Sequence, residues 1–229
     1  MPKRRKSAKS RTKDFTLVTP KFVTMPMIDH LIERAQPILH GDALYERFIV
    51  DARELTHISP VGLATLASIL LFSARNRRFK TGLIQYPKRE HVKRYLSRMN
   101  FNKLLRVREA RPVRPHRARR SGRFRELMEV ATEDECIKVT MHIADVLRKQ
   151  VPATIVHNVS HCLAEVLDNV IHHAASPTNG VACAQAYPKK GSVELAIVDC
   201  GIGVRESLRK NPQYVDRAAT DTDALKLAV

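Results

Sequence analysis

The chain lacks an apolar run long enough to cross a bilayer, which takes about 20 residues in a helix. Its longest apolar stretch, around Val61 to Phe72, is interrupted by Gly62, Thr65 and Ser68. The N-terminus is basic without an apolar core, so it does not read as a signal peptide. Cysteine is sparse. Cys136, Cys162, Cys183 and Cys200 form no C-x-x-C pair, which argues against a zinc ribbon or a disulfide framework. No H-E-x-x-H metal motif and no internal repeat occur. A reducing, cytoplasmic compartment is the simplest expectation.

Acids are missing from two segments. Residues 1–13 carry seven cations and no acid, and residues 111–125 again carry seven and none. Setting these fourteen aside reduces the net charge of +17 to +3 for the rest. The extreme charge therefore belongs to a tail and a linker, and such arms can attract nucleic acid through counterion release. No Phe, Tyr or Trp is interleaved between Arg111 and Arg120, which argues against base stacking there.

What is present supports folded domains. Apolar residues make up 44% of the 229, enough for a packed core in one large or two small domains. Residues 14–110 read as one unit. Phe15 to Thr19, Phe48 to Asp51 and Gly82 to Tyr86 read as strands. Met27 to Leu39 reads as a helix broken by Pro37. Val61 to Arg75 is a helix with Leu63, Leu66, Ile69 and Leu70 on one side, and Arg89 to Met99 is an amphipathic helix. Leu104 to Val107 is expected as a final strand. Residues 111–125 form the Arg-rich linker.

A second unit covers 126–229. Glu126 to Val130 reads as a strand, and Thr132-Glu-Asp-Glu135 is a capping box before a helix reaching Gln150. Thr154 to Ala175 is a long helix whose expected buried stripe is Ile155, Val159, Leu163, Val166, Val170 and Ala174. Val181–Tyr187 and Val193–Asp199 are strands joined by a turn at Lys189-Lys190-Gly191. Two short helices are expected near 204–210 and 216–228. Alternating strands and helices indicate an α/β fold of two sandwich domains.

The long helix carries the candidate chemistry. Glu165 and Asn169, four apart, share one helical face. His161 extends that row upstream, and His172 and His173 extend it downstream. An Asn side-chain oxygen suits Mg²⁺, a hard ion that keeps several waters. A Glu one turn back can accept a proton from an attacking hydroxyl or water. Asp199, at a strand end, can accept a hydrogen bond from an exocyclic amine. Gly201 and Gly203 allow a tight turn beside a flat base. His157 and His161 at i, i+4 spacing also raise a zinc site, but surface histidines are commoner. Cys200 reads as a small packing residue.

These residues resemble the GHKL ATPase superfamily of histidine kinases, anti-sigma-factor serine kinases, gyrase B and Hsp90. Glu165-x-x-x-Asn169 is similar to its N box, and Asp199-x-Gly201-x-Gly203 to its first glycine box. The Asp223-Ala224-Leu225 segment is similar to the helix before the lid. The resemblance implies a Bergerat-type domain binding ATP and Mg²⁺. It assigns Asn169 to the metal, Asp199 to the adenine amine, and Gly201 and Gly203 to the base pocket. It makes Glu165 the general base and gives His173 a pocket role. No counterpart of the second glycine box, or of the last strands, precedes Val229, so an incomplete sheet is expected. The amino-terminal unit is similar to the STAS domain of anti-sigma-factor antagonists, on Phe48 to Asp51 followed by Ile58-Ser59-Pro60-Val61-Gly62-Leu63. The acceptor-serine position of that family falls on Val61, which implies a scaffold rather than a phosphoswitch. The two resemblances together imply an ATP-binding regulatory protein with a protein partner. The missing second glycine box leaves as the alternative a non-enzymatic interaction module with a vestigial nucleotide pocket. The lack of a long apolar run leads us to expect no membrane association.

Overall fold

The computed structural model describes residues 14–40, 45–75, 81–105 and 122–228. The basic tail 1–13 and linker residues 111–121 lie outside the described residues. The amino-terminal half runs β1 (Asp14–Val18), β2 (Phe22–Val23), α1 (Ile28–Leu39), β3 (Arg47–Asp51), β4 (His57–Ile58), α2 (Pro60–Arg75), β5 (Thr81–Gln85), α3 (Glu90–Arg98) and α4 (Phe101–Leu104). The carboxy-terminal half runs β6 (Phe124–Val130), α5 (Glu133–Leu147), α6 (Ala153–His172), β7 (Gly180–Tyr187), β8 (Ser192–Val198), α7 (Gly203–Arg209) and α8 (Asp221–Leu227). The fold is mixed α/β, with small sheets.

One sheet is parallel, in the order β1-β3-β5, and a two-stranded parallel ladder joins β2 to β4. Parallel neighbours need crossovers, and α1 and α2 lie in the two connections. The other sheet is antiparallel, in the order β6-β7-β8. The period-2 pattern explains how β7 serves two cores at once. Val181 and Cys183 join the core built on α2, whereas Ala182 and Ala184 join the core under α5 and α6.

Helix α2 is the element the two halves share. Thirteen of its residues between Pro60 and Ser73 are buried, although the sequence pattern marks one side only. A helix that is apolar all round is stable where it is covered all round. The amino-terminal core, with Leu17, Phe48 and Val50, covers part of it, and Val181, Cys183 and Ala196 of the antiparallel sheet belong to the same cluster. Polar contacts pin this seam. The Cys183 thiol donates to the Pro60 carbonyl at 3.4 Å, and Tyr95 donates to the Gln185 side-chain oxygen at 2.8 Å. The Leu127 N–H donates to the Met99 carbonyl at 3.0 Å. The Glu129 carboxylate accepts from Arg75 at 2.6 Å and from Asn179 at 2.8 Å.

Three local expectations are corrected. Pro37 does not break α1, which continues to Leu39, because a proline in the last turn costs little further ladder. Leu104 is helical rather than extended, since Asn100 in the left-handed conformation restarts the chain as α4, while 106–107 lie outside the described residues. Of the expected stripe of α6, Leu163, Val170 and Ala174 are buried but Ile155 and Val166 are not, as described below. The Thr132 capping box forms as expected: the Thr132 hydroxyl accepts from the Glu135 N–H at 3.3 Å, and the Glu135 carboxylate accepts from the Ala131 N–H at 2.8 Å.

Candidate functional site

Helix α6 packs Val156, Leu163, Leu167 and Val170 inward, while Ile155 and Val166 are 45% and 47% exposed. Both sets obey helical spacing, and the apolar face of α5 with Ala182 and Ala184 of β7 selects the first. The outward faces include Glu165 and Asn169, both exposed, with exposed His161 one turn upstream. His173 is the C-cap and is also exposed.

The end of α6 is built to receive the next loop. The N–H groups of His173 and Ala174 both donate to the Asn169 carbonyl, at 3.0 and 3.1 Å. Ala175 then adopts a left-handed φ of 45°, and Ser176-Pro177 ends the helix. The Ala174 carbonyl accepts from the Ile202 N–H at 2.8 Å, which seats the 199–203 turn on the helix end. Gly201 makes this approach fit. A Cβ there would stand 2.3 Å from the Ala174 oxygen and 2.6 Å from Asp199 Oδ1.

Asp199 shapes its own turn: Oδ1 accepts from the Gly201 N–H at 2.7 Å. Among the described residues no donor engages Oδ2, and the residue is exposed. Gly203 has φ +77°, and open space surrounds its missing side chain. The turn thus pairs a carboxylate oxygen available to a ligand with an uncrowded glycine, beside the end of the helix carrying Asn169.

The other candidates separate. His172 Nε2 lies 3.3 Å from Asp168 and 3.5 Å from Glu133, so it ties the end of α6 to the start of α5. His157 is exposed, like His161, and among the described residues no group of three or more His, Cys, Asp or Glu is placed to hold a metal ion. Burial, then the neighbouring Asp199 charge, pushes the Cys200 thiol up to about 11 against a weaker opposing bond to Thr178. It stays protonated near neutrality and packs against the core around α2. Sequence reasoning missed the platform from Ala174 to Asn179. Its one local signal is Ser176-Pro177 after the helix.

No family model, no curated protein and no solved structure matches this chain, so the site rests on its own residues.

Proposed function

We propose that the chain is an ATP-binding regulatory protein of the cytoplasm, joining a STAS-like sandwich to a GHKL-type sandwich. One observation carries the reading: the Asp199–Gly203 turn docks on the end of the helix that bears Glu165 and Asn169, through Ile202 to Ala174 at 2.8 Å. Two motifs about thirty residues apart in sequence thereby share one locality.

The residues suit the nucleotide. Asp199 Oδ2 is available to accept from an adenine amine, and exposed Gly203 puts no side chain in the way of a ring beside it. Asn169 offers one neutral oxygen on an exposed face, which fits Mg²⁺ that draws its other ligands from phosphates and water. Glu165 is the candidate base one turn away, in an ATPase or a serine/threonine protein kinase. The amino-terminal unit acts as a scaffold for a protein partner. Ser59 is buried at 6% exposure, and the Val61 N–H is engaged by Glu194.

Titration calorimetry with ATP, with and without Mg²⁺, tests the reading. Asn169→Ala is expected to weaken only the Mg²⁺-dependent part, and Asp199→Asn to weaken both. Identical heats for the chain and both variants would end it.

A further inference from the structure

The charge is more sharply segregated than the tail and linker alone indicate. From Lys88 to Arg125 the sequence carries fifteen cations and two acids, Glu90 and Glu109. With these and the seven cations of residues 1–13 set aside, 18 cations face 21 acids, a net charge of −3. The excess is therefore confined, and much of its described part lies on α3 and α4, while Arg125 turns to α5 and pairs with Asp145 at 3.2 Å. Arg89, Arg94 and Arg98 are exposed on or beside α3, Lys103 is exposed on α4, and Arg123 is exposed just before β6. Helical spacing sets Arg94 and Arg98 in one row opposite buried Val92 and Leu96, and Arg89 is the exposed N-cap of α3. Among the described residues, Glu90 pairs with Lys93 at 2.7 Å, and Glu54 pairs with Lys88. The Arg98 guanidinium lies 5.1 Å from the Phe124 ring centroid, which brings the start of β6, next to exposed Arg123, against α3.

We infer that the α3–α4 face, with Arg89, Arg94, Arg98, Lys103 and Arg123, is a nucleic-acid-binding surface that reads the phosphodiester backbone. The inference stands apart from the nucleotide site. Guanidinium forks match phosphate oxygens in pairs, and arginine predominates here over lysine. Among the described residues of the face no Phe, Tyr or Trp is free to stack on a base, and the exposed His91 has its Nε2 held 2.9 Å from the Thr56 carbonyl. Phe101 is 1% exposed, the Phe124 ring is capped by Arg98, and the Tyr95 hydroxyl is spent on Gln185. The surface therefore grips backbone without base preference, and favours a duplex over a single strand. An anionic membrane fits less well, because none of the large exposed apolar side chains among the described residues falls on this face.

Fluorescence anisotropy of a labelled 20-base-pair DNA duplex across a salt series tests the surface, with an RNA duplex, a single strand and phosphatidylserine vesicles as separate arms. The triple variant Arg89→Gln, Arg94→Gln, Lys103→Gln is expected to bind at least about tenfold more weakly. Its slope of log affinity against log salt should flatten by about 2 to 3 units. A control removing the same charge elsewhere, Lys189→Gln, Lys210→Gln, Lys226→Gln, is expected to bind like the parent. Arg94→Lys, which retains the charge and the helix, should retain binding and guards against misfolding as the cause. Equal losses in the two triple variants, no duplex binding by the parent, or preference for vesicles over duplex at equal salt would each overturn the assignment.

Discussion

The backbone N–H of Val61, in the first turn of α2, donates to the Glu194 carboxylate of β8 across 133 residues of sequence, at 3.2 Å. Glu194 also accepts from the Tyr187 hydroxyl at 3.4 Å. A helix leaves its first N–H groups without partners, and its dipole favours a negative group there. Here a side chain from the opposite half of the molecule meets that need. The start of α2 is thus fixed by the sheet it packs on.

Replacing Glu194 should test that linkage. Glu194→Ala leaves a half-buried N–H and a phenol without their acceptor, and should cost roughly 1–2 kcal/mol in urea unfolding. Glu194→Gln keeps an acceptor oxygen and should cost less than half as much. Equal stabilities for the parent and Glu194→Ala would show the contact to be idle.

Glycine substitutions should rank by what the missing Cβ meets. Gly201→Ala drives a methyl into the Ala174 carbonyl and Gly62→Ala into the Val23 carbonyl, at 2.3 and 2.4 Å. Backbone cannot yield as a flexible side chain does, so each should cost about 2 kcal/mol or more. Gly203→Ala meets open space and bears only the strain of its positive φ, about 1 kcal/mol. Thermal melts with Gly203→Ala the least stable of the three would contradict this order.

Stability should fall on the alkaline side. Burial, then the charge of Glu194, pushes the Cys183 thiol up to about 12, and Cys200 is pushed up to about 11. Burial also raises the Tyr95 and Tyr187 phenols. The unfolded chain releases these protons first, so it binds fewer of them, and unfolding becomes easier as pH rises. For the thiols the decline begins near 9 and continues to about 11 or 12. Urea midpoints measured from pH 7 to 10.5 should drop, and less so in a Cys183→Ala, Cys200→Ala variant.

Thiol labelling should follow the same geometry. Cys162 is exposed on α6, whereas Cys183 is buried and Cys200 half-buried. A disulfide reagent at pH 8 should modify Cys162 first and reach Cys183 only on unfolding. Rapid modification of Cys183 in the native chain would refute its place under α2.

The sequence determined the local elements and their chemistry. Alternation marked β1, a short apolar run marked β3, and two segments about the Lys189–Gly191 turn marked β7 and β8. The Thr132–Glu135 capping box set the start of α5, and four-residue spacing put Glu165 and Asn169 on one helix face. It also determined where the positive charge lies. Tertiary structure decided what local pattern leaves degenerate. Helix α6 carries two apolar sets at helical spacing, and only the presence of α5 and β7 chooses Val156 and Leu167 over Ile155 and Val166. The sequence pattern of α2 marks one side, at Leu63, Leu66, Ile69 and Leu70, whereas packing between two sets of partners buries it nearly all round. The seating of the Asp199 turn on Ala174 likewise depends on a backbone hydrogen bond between distant loops, which side-chain identity does not encode. Periodicity is a property of one element, whereas the choice of face belongs to the surfaces that meet.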